Sequence, residues 1–245
     1  MKQYPDRKKA AAEIIEVGRR MYEKDYVAAN DGNISCKIAP DVILATPTGV
    51  SKGFMTEDML VTMSTDGSVI SRGELKPSSE VKMHLRVYKE NPDVMGVTHA
   101  HPLTATSFAI AGIPLDEPIL TETIMSLGNV PVARYGTPGT TEVPDSIGPF
   151  CRGYNAALLS NHGVITWGDS LMQAYFRLEA VEYYAKIILN TKYVMGAYRR
   201  LSEKQIDDLL VIRNNLGVGS GGVPQYVKEP CNDKDIMPHT GEIKE

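Results

Sequence analysis

Short apolar runs, each closed by a turn cluster, limit what this chain can fold into. Residues 42–45, 60–63, 94–99, 156–159 and 164–167 are four to six residues long and rich in β-branched or aliphatic side chains. Runs of that length read as strands, and strands so short need helices laid over them to close a core. The clusters between them are Asn30-Asp31-Gly32-Asn33-Ile34-Ser35, Thr46-Pro47-Thr48-Gly49 and Ser64-Thr65-Asp66-Gly67, the last of hairpin type. Helical periodicity occupies the remaining ground. Ile14, Ile15, Gly18, Met21 and Tyr22 share one stripe of a helix over 7–24, and Leu171, Ala174, Leu178, Val181, Ala185 and Ile188 share one over 170–193. Pro77-Ser78-Ser79-Glu80 opens a helix that runs to residue 89 and stops before Asn91-Pro92. Further helices are expected over 103–111, 145–152 and 203–210, with 130–135 extended. Short strands mixed with helices on one core predict an α/β fold, three layers deep, with a central, mainly antiparallel sheet flanked by helices. No internal repeat or linker divides the chain, so 1–216 is expected to be one domain. Residues 217–245 form a Gly-, Pro- and charge-rich tail that can cover an active site.

Composition narrows the function classes. The 245 residues are 42% hydrophobic and 23% charged, with a formal net charge of −4. That balance suits a globular protein and lacks the basic excess of a nucleic-acid binder. The N-terminus is charged where a secretory signal would be apolar, and no stretch has the length of a membrane span. Cys36, Cys151 and Cys231 are few, odd in number and form no CxxC pair, which fits a reducing compartment and a cytoplasmic location.

Three histidines carry the chemistry. His99 and His101 are two apart at the end of an expected strand, so both imidazoles fall on one face. His162 lies far along the chain in the loop Ser160-Asn161-His162-Gly163, between two strands. Three imidazoles with an open fourth position make a catalytic zinc arrangement, and all-nitrogen ligation also suits Mn2+ or Co2+. His84 and His239 read differently: His84 shares a helix face with Glu80, and His239 lies in the tail. Gly32-Asn33, Thr48-Gly49 and Ser78-Ser79 are small, hydroxyl-bearing turns suited to an anion, although each also serves as an ordinary turn or cap. No GxxxxGK[ST] loop or GxGxxG fingerprint is present. Glu80, next to the serines, is a candidate general base.

Taken together, Gly32-Asn33-Ile34-Ser35, Thr46-Pro47-Thr48-Gly49, Pro77-Ser78-Ser79-Glu80, His99-Ala100-His101 and Asn161-His162-Gly163 resemble, in order and spacing, the class II aldolase/adducin-head family, and within it the fuculose-phosphate aldolases. The resemblance runs from the first helix to about Leu216. It implies a homotetramer with active sites between subunits. It also implies a zinc ion on His99, His101 and His162, with Glu80 as acid/base and displaceable fourth ligand. Asn33, Thr48, Gly49, Ser78 and Ser79 would then form the phosphate cradle. The implied reaction is reversible cleavage of a deoxy-ketose 1-phosphate, of the fuculose or 5-deoxypentulose type, into dihydroxyacetone phosphate and an aldehyde. The metal would stabilise the enediolate formed on the way. Glutamate at position 80 points away from the epimerase branch, which has aspartate there. The family's catalytic tyrosine has no match: Leu120 or Thr121 falls at one position and Leu216 near the other, leaving Glu122 and Tyr226 as substitutes. Pentulose-phosphate epimerases, dehydratases and decarboxylases reuse the same site. A non-catalytic adducin-like interaction module and an unrelated zinc hydrolase are the remaining alternatives.

Overall fold

A computed structural model describes residues 3–71, 75–219 and 221–222. Tyr226, Cys231 and His239 therefore lie outside the described residues. Helix α1, Arg7–Glu23, starts at Asp6, whose carboxylate accepts a hydrogen bond from the Lys9 amide. Its buried stripe is Ala10, Ala11, Ile14, Val17, Gly18 and Met21. Strands β1 (Asn33–Ala39), β2 (Val42–Ala45), β3 (Val61–Ser64) and β4 (Val69–Ser71) follow. Then come α2 (Val81–Glu90), β5 (Gly96–Ala100), α3 (Leu103–Ala111), β6 (Val132–Ala133) and α4 (Glu142–Ile147). The described elements end with β7 (Ala156–Leu159), β8 (Gly163–Gly168), α5 (Leu171–Ile188) and α6 (Glu203–Asn215).

The strands make one eight-stranded sheet in the order β4-β3-β2-β1-β5-β8-β7-β6. Every neighbouring pair is antiparallel except β6 with β7. Both faces are covered. Ile14 and Val17 of α1, Phe108 of α3 and Leu178 and Val181 of α5 pack with Ile34 and Ala100 on one face. Met83 and Val87 of α2 and Ile147 of α4 pack with Ile43, Val97 and Trp167 on the other. This is the expected three-layer arrangement, with side chains on the two faces alternating along each strand.

The differences from the sequence reading are local. Asn33, Ile34 and Ser35, expected in a turn, begin β1 instead. The reversal is completed one residue earlier by Gly32 at φ +76°, and residues 33–36 then pair with 99–96 of β5. Polar Asn and Ser hid a central strand whose backbone pairing, and not its propensity, decides its conformation. Strand β4 was unforeseen, since three exposed residues carry no alternation to read. Helix α2 begins at Val81, with Ser78–Glu80 forming the turn before it. Helix α4 starts earlier than expected, at Glu142, and Gly148–Phe150 continues it as a tighter turn. Helix α5 ends at Ile188, after which Leu189–Val194 winds in wider turns, and α6 extends to Asn215. Beyond Leu216 the described residues still touch the body: Gly222 bridges Asn129.

Candidate active site

The site forms where three central strands meet. His99 lies near the end of β5, opposite Asn33 on β1 and Ile165 on β8. The chain leaves β5 through Ala100, and the His101 amide donates to the Tyr26 carbonyl at 2.9 Å. His162 sits in the β7–β8 turn. Asn161 takes a left-handed conformation there at φ 57°, and the His162 amide donates to the Leu159 carbonyl at 2.9 Å. Gly163 allows this turn to lie against β5, because a Cβ there would stand 2.5 Å from both the Ala100 carbonyl oxygen and His101 Cδ2. Gly163 thus has a packing reason for being glycine.

The three rings converge. Their centroids are 4.7 to 5.0 Å apart, and one nitrogen from each lies within 4.8 Å of the others. His99 Nδ1 is 2.9 Å from the Val164 carbonyl oxygen, and His101 Nδ1 is 3.4 Å from Asp31 Oδ2. Those acceptors hold the proton on Nδ1 and leave each Nε2 with its lone pair, the usual support around a metal-binding histidine. The two Nε2 atoms then face each other at 3.0 Å. With both Nε2 lone pairs directed at one point beside His162, the donor set fits a divalent metal ion. Burial holds His99 well below its ordinary pKa and His101 below its own, with the neighbouring imidazole adding to the effect. Both rings are therefore neutral and ready to ligate.

Glu80 faces this cluster from the turn before α2. Its Oε1 is 2.9 Å from His162 Nε2, its Oε2 is 3.6 Å from His99 Nε2, and Asn33 Nδ2 donates to Oε2 at 2.6 Å. Burial pushes the carboxyl pKa up, but its interactions with the surrounding imidazoles, His99 foremost, and the hydrogen bond with His162 outweigh it and hold it below the carboxylate range. The group is an anion, able to ligate or to accept a proton.

The three small turns also come together. The Thr46 amide donates to the Ile34 carbonyl, and Thr46 Oγ1 accepts from the Ile34 amide at 3.1 Å. The Ser78 amide donates to the Thr46 carbonyl at 3.2 Å, and the Thr48 amide to the Lys76 carbonyl at 2.9 Å. Asn33, Thr48-Gly49 and Ser78-Ser79 thus border one region next to Glu80. Gly49, at φ +76°, has open space where a Cβ would be. Glu122 is exposed, and Thr121 Oγ1 and Ser126 Oγ are its hydrogen-bond donors. Neither it nor half-buried Leu120 or Thr121 is joined by a hydrogen bond or ion pair to the histidines or Glu80 among the described residues. Asp31 was missed by the sequence reading. An acid two residues before Asn33, in a turn already singled out, was the available signal.

The family model described as "Class II Aldolase and Adducin N-terminal domain" matches residues 12–189. The chain belongs to the class II aldolase/adducin family. Relatives within the family are named for different activities. It is 30% identical over 205 residues to the 3-oxo-tetronate 4-phosphate decarboxylase of Pectobacterium atrosepticum, covering 82% of this chain and 91% of that one. It is 32% identical over 177 residues to the L-fuculose phosphate aldolase of Methanocaldococcus jannaschii, covering 72% and 94%. A solved L-fuculose 1-phosphate aldolase superposes with a TM-score of 0.76 at 30% identity, over 84% of this chain and 96% of the other. The aldolase of that name from Thermus thermophilus superposes at 0.69 and 27%, over 79% and 99%. Among the described residues of this class II aldolase-family chain, no helix is long and apolar enough to cross a membrane.

Proposed function

We propose that this chain is a metal-dependent aldolase that cleaves a deoxy-ketose 1-phosphate into dihydroxyacetone phosphate and an aldehyde. The observation that carries the reading is the convergence of His99, His101 and His162 with Glu80 2.9 Å from His162 Nε2. His99, His101 and His162 would hold the ion, with zinc preferred and Mn2+ or Co2+ as alternatives, and Glu80 would be a displaceable fourth ligand. When bound, a divalent ion supplies Lewis-acid stabilisation to the negative charge that develops next to the carbonyl. The chain's own residues do the rest. Asn33, Thr48, Gly49, Ser78 and Ser79 bind the phosphate through amides and hydroxyls and fix the reacting carbon near Glu80. In condensation the Glu80 carboxylate removes the proton from that carbon; in cleavage the aldehyde-forming hydroxyl releases a proton to solvent, and Glu80 takes one up from solvent and passes it to that carbon. Asn33 Nδ2, on Glu80 Oε2 at 2.6 Å, orients the carboxylate for this transfer. In our reading residues 1–216 form the catalytic domain, and 217–245 is the tail, most of which lies outside the described residues. The assembly is a homotetramer with its sites between subunits, in accord with exposed apolar side chains such as Leu103, Val194 and Leu216.

A second reading comes from the relatives named as decarboxylases. Loss of carbon dioxide from a 3-oxo acid phosphate leaves the same kind of carbanion beside a carbonyl, and a proton drawn from water and passed on through Glu80 completes it. It needs no group to take the proton of a departing aldehyde hydroxyl, and the family's tyrosine for that step has no counterpart at Leu120 or Thr121. One assay separates the two. Zinc-loaded and metal-free protein are incubated with 5- and 6-deoxy-ketose 1-phosphates and with a 3-oxo-tetronate 4-phosphate, and dihydroxyacetone phosphate and carbon dioxide are measured. Metal-dependent dihydroxyacetone phosphate supports the aldolase, and metal-dependent carbon dioxide alone the decarboxylase. Release of neither removes both. Glu80→Gln is expected to keep the metal and lose about 10²- to 10⁴-fold in turnover, whereas His99→Ala loses metal and turnover together.

A further inference from the structure

Lys52 is among the largest fully buried side chains, at 1% exposure. It opens the short turn Lys52–Phe54, which lies against α1, where a Cβ on Gly18 would stand 2.6 Å from the Lys52 carbonyl oxygen. The ammonium donates to the Val50 carbonyl at 2.6 Å and to the Asn30 carbonyl at 3.0 Å. No carboxylate stands within 4.0 Å of it among the described residues. Asp31 and Glu80 are the acidic groups that act on it, and they do so at longer range. A buried ammonium without a contacting anion is costly, and proteins rarely keep one for packing alone.

Its two acceptors say where the charge is directed. Val50 follows Gly49, and Asn30 lies three residues before Asn33. The ammonium thus staples together two of the three turns that border the candidate anion subsite. A phosphate dianion is the ligand whose charge would complete this arrangement, and the carbonyls hold the cation in place before it arrives.

We propose that Lys52 is a positioning residue of the anion subsite, locking the Asn30–Asn33 and Thr48–Val50 turns in register and supplying fixed positive charge for a phosphorylated ligand. This deepens the function proposed above and rests on its phosphate-binding turns. Lys52 acts through those turns and through its field, and need not touch the phosphate. Charge is its contribution, so the ligand's net charge, and not its sugar portion, is what it selects.

The test is titration of the full-length protein with inorganic phosphate, with and without zinc, for the wild type, Lys52→Gln and Lys52→Met. Lys52→Gln removes the charge and keeps an amide N–H donor on a side chain one bond shorter. It is expected to weaken phosphate binding roughly tenfold or more, the scale of one lost charge interaction near a protein surface. Zinc affinity should stay within about threefold, the change expected when no ligand is touched. Lys52→Met should lose phosphate binding at least as far. A further readout needs no variant. Burial lowers the Lys52 pKa to about 8, against the raising influence of Asp31 and Glu80. Wild-type affinity for phosphate, fully dianionic above pH 8, should therefore fall as pH rises to 10, and the Lys52→Gln profile should be flat. A folded Lys52→Gln protein that binds phosphate as the wild type does, or a wild-type affinity unchanged from pH 8 to 10, overturns the role of Lys52 and leaves the phosphate subsite standing. A wild type that binds zinc but no phosphate at any pH removes the subsite and the lysine together.

Discussion

His84 is fully buried on α2, with Nδ1 2.7 Å from Ser35 Oγ and Nε2 without a hydrogen-bond partner. Ser35 Oγ also lies 2.9 Å from Tyr88 Oη, and Tyr88 donates onward to the Ser35 carbonyl. The network ties α2, just beyond Glu80, to β1, which carries Asn33. These contacts describe a structural role for His84. Burial, against a smaller raising effect of Glu80, takes its pKa from 6.5 down to about 3. Between those two values the unfolded chain binds a proton that the fold refuses, so stability must fall as pH drops through that window. At full extent the loss is on the order of 5 kcal/mol. Metal-free His84→Asn, which keeps a group near the Nδ1 position, should show a flatter decline of Tm from pH 6.5 to 3 than metal-free wild type. Parallel curves would show that His84 is not the titrating group.

Two elements depend on partners that come from elsewhere in the chain. Helix α3 follows Pro102, which offers no capping side chain. Glu182 of α5, 2% exposed, supplies the cap: its carboxylate accepts from the Thr104 amide at 3.2 Å and the Ala105 amide at 2.8 Å. Glu182→Ala strands both buried amides and should cost about 2–4 kcal/mol in chemical denaturation. Glu182→Gln, retaining one acceptor, should cost less, and an equal cost for both would point to charge in place of capping. The second element is the β7–β8 turn. Gly163→Ala drives a Cβ into the Ala100 carbonyl and the His101 ring, both 2.5 Å away. It should weaken metal binding by on the order of tenfold without removing any ligand, the range seen when support around ligands is lost. Unchanged metal affinity would show that the turn can shift without moving His162.

At the scale of the whole molecule, the proposed ion joins parts of the chain that only the sheet brings together. His99 and His101 come from the end of β5, His162 from the β7–β8 turn and Glu80 from the turn before α2. A ligand bound to the fold and not to the unfolded chain stabilises by mass action, about 4 kcal/mol at a thousand times its dissociation constant. For a chain of this size that is a rise in Tm of roughly 8–16 °C on zinc loading, reversed by a chelator. A Tm indifferent to zinc would mean that the three histidines do not share an ion. The His99-Ala100-His101 pair was legible because a period of two forces both rings onto one face, whatever the rest of the fold does. The strands with β-branched or aliphatic runs and the helices with continuous stripes were legible for the same local reason. Asn33–Ser35 was not, since its strand conformation comes from pairing with residues 97–99 across a gap in sequence that no local pattern spans. Asp31 and Lys52 were not legible either, because a partner at the His101 ring and a carbonyl cage around an ammonium are meetings of segments distant along the chain. Sequence alone thus determined the donor atoms, the turns and the alternation of strand with helix, through spacing and side-chain chemistry. Tertiary structure alone decided that the donors face one point, because β5 lies between β1 and β8 in the sheet, an order set by long-range pairing and packing.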